Sequence, residues 1–377
     1  MPTHHLRQLP RLLLPRLLLP QLLMLCVLLA CARAAFAQPA YVLVFGPENS
    51  SPGAINRAGS LVGQASGEAF LWEGGATVGL GGMGGSAAFG ISNNGLITGA
   101  ADRPDGSIHA FLFDGSLRDI GQLGVASSGA GVNRAGQVAG TYVDEAGENH
   151  AFLYSGGVMR DIGNLGANSA RATAISERGE VVGSSFLEGF TSLQAFFYYR
   201  SGNISSIAAL GTLGGPSSWA NAINNNLQIA GASYIDDDTL HAFLYEQGVM
   251  RDIGSLGGAF TEARGINDVG WVVGYSTYAD DVPGIDFSSA FLYRDGAMFD
   301  LNLIVERPGL WSILDAYDIN EAGQIAATAC TDFGDCRAVR LDPIPAVPEP
   351  QPAALLLAGL VLGGAWTGLR RRTRRKR

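Results

Sequence analysis

Residues 130–162 read AGVNRAGQVAGTYVDEAGENHAFLYSGGVMRDI, and this stretch decides how the rest of the chain is understood. It divides into four short strand-like pieces, 130–133, 137–142, 150–154 and 158–162. Between the pieces stand Asn-Arg-Ala-Gly, an acidic connection and Ser-Gly-Gly. The Asn and Gly residues tolerate the positive φ that tight hairpin turns require. Short alternating pieces joined in this way predict a four-stranded antiparallel meander.

The same unit recurs along the chain: small residues ending in Ile-Asn or Ile-Ser, a Gly three residues on, a second Gly four further, then Ala-Phe-Leu-aromatic. The Asn or Ser landmark falls at Asn56, Ser92, Asn133, Ser176, Asn224, Asn267 and Asn320, with spacings of 36, 41, 43, 48, 43 and 53 residues. The turn Gly follows at Gly59, Gly95, Gly136, Gly179, Gly270 and Gly323, and Leu227 takes its place in the fifth unit. The aromatic landmark is Phe70, Phe111, Phe152, Phe196, Phe243 and Phe291. A period of this size means an array of supersecondary units, so chain length does not count domains here.

The ends of the array discriminate between architectures. The seventh unit offers pieces at 317–320, 324–328 and 336–341, then runs into Pro343 and Pro345 without a fourth strand. The missing strand stands at the other end, where Tyr-Val-Leu-Val-Phe at 41–45 occupies the place that the Arg-Asp-Ile-Gly strand holds before later units. Pairing it with the last unit closes a ring and removes an exposed sheet edge. The expected fold is therefore all-β: a seven-bladed β-propeller over residues 38–343, closed by the N-terminal strand. A β-solenoid is the alternative, but it calls for shorter, more uniform coils with atypical capping units.

Abundant Gly (52 residues) and little charge (16%) suit a β-repeat protein. Of 25 basic residues, 11 lie in the first 33 and last 8 positions, which contain no acid. The body then holds 34 acids against 14 bases, about −20, a balance that repels nucleic acid and excludes it as a partner. The N-terminus carries Arg7, Arg11 and Arg16, an apolar run over 17–32 and Ala35-Phe36-Ala37, the plan of a secretory signal peptide spanning 1–37. At the other end, a Pro-rich linker (344–352) containing Val347-Pro348-Glu349-Pro350 precedes an apolar stretch over 353–369 and a basic tail over 370–377. About 17 apolar residues at ~1.5 Å each span roughly 25 Å, enough for a short transmembrane helix. The basic tail should stay cytoplasmic and the body outside.

The order of proline motif, membrane helix and arginine cluster resembles the PEP-CTERM sorting signal. That resemblance implies recognition by exosortase, a transpeptidase-like membrane protease, in bacteria that make extracellular polysaccharide. The Ala-Phe-Leu-Trp at 69–72 and the His-Ala-Phe-Leu-aromatic at 109–113, 150–154 and 241–245 resemble the HAF family of extracellular repeat proteins. Copies at 194–198 and 289–293 depart at the His. The likeness spans about residues 41–342. It implies a secreted or surface protein, transiently anchored in the membrane before processing, and no established activity.

Chemistry is harder to find. The body has three histidines, His109, His150 and His241, all at one repeat position. A catalytic residue must differ from its repeat equivalents, so these read as structural. Asp119, Asp161 and Asp252, each in Arg-Asp-Ile-Gly beside Arg118, Arg160 and Arg251, read as inter-blade ion pairs or turn hydrogen bonds. No Gly-x-Ser-x-Gly elbow stands on a strand-to-helix turn. The stretch 80–85 lacks the Lys and following helix of a phosphate loop. The one lysine, Lys376, lies in the tail, which rules out lysine chemistry in the body.

Cys330 and Cys336 flank a five-residue loop and predict a disulfide in an oxidising compartment. Acidic connections supply candidate ligand or cation loops at Asp236, Asp237 and Asp238 and at Asp280 and Asp281. Ca²⁺ wants six to eight oxygens, yet no loop has the spacing of a known calcium motif, and neither cofactor nor resident metal is expected. The resulting expectation is a monomeric, non-catalytic binding or structural module of the cell surface or polysaccharide matrix. The alternative is a glycan-active enzyme using carboxylates on the long-loop face, for which two carboxyls at a defined separation would be needed.

Overall fold

The computed structural model describes residues 40–345 apart from 83, 191, 202–203, 279–287 and 307–308. The expected signal peptide, the motif at Val347, Pro348, Glu349 and Pro350, the apolar stretch 353–369, the basic tail, and Asp280 and Asp281 lie outside the described residues. No helix among the described residues is long and apolar enough to cross a membrane.

Seven antiparallel sheets follow one another along the chain, one per repeat unit, and form a seven-bladed β-propeller. In the third blade the strands are Ala126–Val132, Val138–Val143, Asn149–Ser155 and Val158–Asp161. The first strand of every blade lines the axis, since residues from all seven surround one central cavity. The last sheet has five strands. Tyr41–Phe45 lies beside Cys336–Pro343, which pairs with Ile325–Thr331 and then Trp311–Ile319. A short strand, Val305–Glu306, adds in parallel outside Tyr41–Phe45, an element not foreseen from the repeat pattern. The N-terminal strand thus completes the last blade, as expected.

The blades hold together through one interface used repeatedly. The Phe of each of the first six units is at most 2% exposed. It packs on aliphatic residues of the preceding blade: Phe152 joins Ala110, Leu112 and Ile120, and Phe243 joins Val182 and Ala195. At the ring closure Phe70 packs on Ala326 and Ala338 of the seventh blade. Burying a ring of this size contributes on the order of 1.5–3 kcal/mol. The second Gly of the motif leaves no room for a side chain, first against the carbonyl of the neighbouring strand and, in several blades, against that ring as well. A Cβ on Gly140 would lie 2.1 Å from the Ser128 carbonyl oxygen and 2.8 Å from the Phe152 ring, its cross-strand partner.

The Asn landmark caps its own turn and reaches the next blade. The Asn133 side-chain oxygen accepts the N–H groups of Ala135 and Gln137, both at 3.1 Å, while its Nδ2 donates to the Ser176 carbonyl at 3.1 Å. Asn224 and Asn267 do the same to Asn267 and Asn320. Asn320 donates to the Asn56 carbonyl at 2.8 Å, across 264 residues of sequence. Where Leu227 replaces the turn Gly, it adopts φ 62°, the left-handed conformation its neighbours give to Gly.

Candidate functional site

The propeller axis is a cavity of about 540 Å³, lined in every blade by the residue three before the landmark. Those residues are Gly53, Phe89, Ala130, Thr173, Asn221, Arg264 and Tyr317. The wall is therefore lopsided: small or apolar over the first three blades, polar and charged over the last three. At the short-turn end the axis narrows to a cavity of about 150 Å³. There the residues after the landmarks bond around the ring, as in Asn225 N–H to Asp268 at 2.8 Å and Arg57 N–H to Asn93 at 2.8 Å.

On the polar wall the side chains form one network. Glu262 Oε1 accepts from the Trp219 indole N–H at 3.0 Å and from Asn221 Nδ2 at 2.8 Å, and Oε2 accepts from the Tyr275 hydroxyl at 3.2 Å. Arg264 Nε donates to Asp315 Oδ1 at 3.0 Å. The Arg264 guanidinium carbon stands 5.2 Å from the Tyr275 ring centre and 5.4 Å from that of Tyr317, within cation–π range. Asp318 Oδ2 accepts the Ile55 N–H at 3.0 Å across the ring closure.

Burial governs the protons of this wall. It pushes the Asp315 carboxyl up to about 6, outweighing the guanidinium of Arg264. It also pushes Asp318 up to about 6, against the two backbone N–H groups that favour the charge. Tyr275 is pushed up to about 12, by burial first and by Glu262 second. Of the three, Asp318 lines the cavity; displacement of this kind arises at working sites and in buried structural networks alike. Chemically, the wall can donate from a guanidinium one-third exposed, accept through carboxylates, and stack on aromatic faces.

The residues singled out from sequence are not brought together here. Asp236 caps its hairpin tip, its Oδ1 accepting from the N–H groups of Asp238 at 3.0 Å and Thr239 at 2.7 Å. Those bonds hold its carboxyl below the usual carboxylate range. Asp237 and Asp238 are exposed on the same tip. Among the described residues no group of three His, Cys, Asp or Glu side chains could hold a metal ion. Cys330 and Cys336 are joined, facing each other across the last hairpin. The histidines pair inside their own blades, His109 with Asp119 at 3.1 Å and His241 with Asp252 at 2.8 Å. Asp119, Asp161 and Asp252 also accept turn N–H groups from Gly121, Gly163 and Gly254. Among the described residues they make turn bonds and ion pairs within their own blades.

Neither a protein-family model nor a curated protein sequence matches the chain. Solved structures do. The β-propeller domain of the trilobed protease from Pyrococcus furiosus, described as having an open velcro topology, superposes with a TM-score of 0.53 at 10% identity, over 82% of this chain and 99% of that one. Acylaminoacyl peptidase in complex with a chloromethyl ketone gives 0.51 at 11% identity, over 82% of this chain and 52% of that one. The Pyrococcus horikoshii acylaminoacyl peptidase gives 0.50 at 10% identity, over 80% of this chain and 51% of that one. This chain thus spans about half the length of those peptidases. At such identity the likeness establishes the propeller fold alone.

It also corrects one expectation. Reading the chain as not an enzyme rested on histidines in repeat register, but peptidases contain this architecture, so the fold excludes no catalysis. The charged cluster on the axis breaks the register that the argument relied on. The signal for it was present in the sequence. Arg264 and Tyr317 differ from Gly53 and Ala130 at the same repeat position, which a search confined to histidines and loop acids overlooks.

Proposed function

We propose that the protein is an exported surface module that binds a hydroxyl-rich ligand, such as extracellular polysaccharide, in its axial cavity. The observation that carries this reading is the departure from repeat symmetry on the axis. Three of the seven units put a small residue at this position, Gly53, Ala130 and Thr173, whereas the last three blades place Asn221, Arg264 and Tyr317 there. A cavity of about 540 Å³ falls within the ~300–1,000 Å³ of small-ligand sites. Aromatic faces beside an amide oxygen and a guanidinium suit the mixed apolar and hydroxyl faces of a sugar. The export signals support the location. The PEP-CTERM-like tail would bring the chain to exosortase at the membrane, and the HAF-like repeats belong with an extracellular life as a monomer.

A glycan array with and without calcium tests the ligand class, repeated with Arg264→Ala and Tyr317→Ala. Binding lost in both variants supports the axial site; binding unchanged in both refutes it. Truncation before Pro348 should release the protein from surface sorting, and equal retention of the truncated chain would count against the tail.

A second reading has its own observation. Asp315 and Asp318 keep their protons to about pH 6, the range in which a carboxyl serves as a general acid on glycosidic bonds. Product analysis on the glycans that bind, with Asp315→Asn as control, separates turnover from binding.

A further inference from the structure

We propose that the groove between blades 3 and 4 binds an oxyanion: a carboxylate of an acidic glycan, or a sulfate or phosphate group. The groove holds about 440 Å³ and is lined by Arg160, Arg178 and Arg200 with Ser155, Tyr198 and Ser205. It is separate from the axial cavity, and the proposal stands without the reading of that cavity.

Three departures from the repeat converge on this groove. In blades 2 and 5 the arginine of Arg-Asp-Ile-Gly has a carboxylate within its own hairpin: Arg118 pairs with Asp114 at 3.8 Å and Arg251 with Glu246 at 3.1 Å. The residue in that acidic place in blade 3 is Ser155, so Arg160 loses the partner its equivalents keep. Second, Arg178 occupies a turn position filled by Ala58, Asn94, Ala135, Asn226, Val269 and Ala322 in the other units. Third, Arg200 sits on the next blade and faces the same space. Among the described residues no carboxylate stands in ion-pair range of Arg160 or Arg178. Asp161 lines the groove too, but its oxygens already take the Tyr142 hydroxyl at 2.8 Å and the Gly163 N–H at 2.6 Å.

On a body of about −20, one acid has been removed and guanidinium groups added in one place. Guanidinium forks match the paired oxygens of carboxylate, sulfate and phosphate, and the nearby hydroxyls add neutral donors.

The test is calorimetric titration of the full-length chain with inorganic sulfate, with an oligogalacturonate and with a neutral malto-oligosaccharide of equal length. The basic tail is common to every variant, so differences between variants report the groove. Arg160→Gln and Arg178→Gln should each weaken anion binding about tenfold, the worth of one charge-assisted hydrogen bond. Ser155→Glu, which restores the acid of blades 2 and 5, should abolish it while leaving the fold intact. Arg118→Gln should change nothing. Binding of oligogalacturonate alone would assign a glycan carboxylate, and binding of sulfate as well a general oxyanion site. The proposal is overturned if the wild type binds neither anion, if the neutral oligosaccharide binds as tightly, or if Ser155→Glu binds like the wild type.

Discussion

The smallest unit of this fold is a pair of residues, a Gly facing a Phe across two strands. The seventh blade shows why they travel together. There Val339 replaces the Phe and pairs with Ala327, which replaces the Gly. Ala327 carries its Cβ fully buried, whereas a Cβ on Gly140 would meet both the Ser128 carbonyl and the Phe152 ring. Gly140→Ala should therefore cost about 1–3 kcal/mol through overpacking. Ala327→Gly should cost under about 1 kcal/mol. Denaturant unfolding of the two variants checks the asymmetry. Buried carboxyls give a second expectation at this scale. Asp315 and Asp318 are raised to about 6 in the folded chain and sit near 3.8 when unfolded, so between those values the folded state binds more protons. Stability contributed by these two groups is present below about pH 4 and falls as pH rises toward 6. Asp318→Asn keeps an acceptor for the Ile55 N–H and should flatten that slope; a slope equal to the wild type's would show that Asp318 does not titrate there. The Gly–Phe pair could be read from sequence because it repeats. The displaced acids could not, because burial on the axis exists only after seven strands have come together.

At the scale of elements, a turn does two jobs at once. The Asn landmark satisfies the turn's N–H groups and carries the hydrogen bond to the next blade. Asn133→Ala removes both and leaves buried partners unpaired, for an expected loss of about 2 kcal/mol. Ser176→Ala, whose residue lacks the reach to the next blade, should cost less, and the difference is measurable by thermal unfolding. The disulfide at the tip of the last hairpin closes only a short loop. Its removal in the double variant Cys330→Ser, Cys336→Ser should cost about 2 kcal/mol at most. Strand boundaries were legible from turn residues to within a few positions, as in blade 3. The strand Val305–Glu306 and the short helix Leu301–Ile304 were not. They occupy the longest gap between landmarks, where no sister unit supplies a pattern for comparison.

For the whole molecule the decisive question is whether closure makes seven blades one cooperative body. Three kinds of contact cross the junction between the chain's ends: the buried face of Phe70, the Asn320–Asn56 hydrogen bond, and Ser50 Oγ accepting the Ala338 N–H at 3.1 Å. All three recur at other junctions, so the seam is built like any interface. What is peculiar to it is the strand Tyr41–Phe45, whose Tyr41 and Leu43 are 1% and 7% exposed within the core of the last blade. In an open array, weakening that strand would loosen the terminal unit and leave the rest. In a ring it weakens the neighbours on both sides, and they in turn weaken theirs. Leu43→Ala should therefore lower stability by about 2–5 kcal/mol while the chain still unfolds in a single transition. Tyr41→Phe, which removes a buried hydroxyl without a hydrogen-bond partner among the described residues, should be neutral or stabilising by about 1 kcal/mol. Calorimetry of the two variants distinguishes the cases: a low-temperature shoulder in Leu43→Ala, with the main transition unmoved, would mean that the last blade melts alone and the ring is closed in shape only.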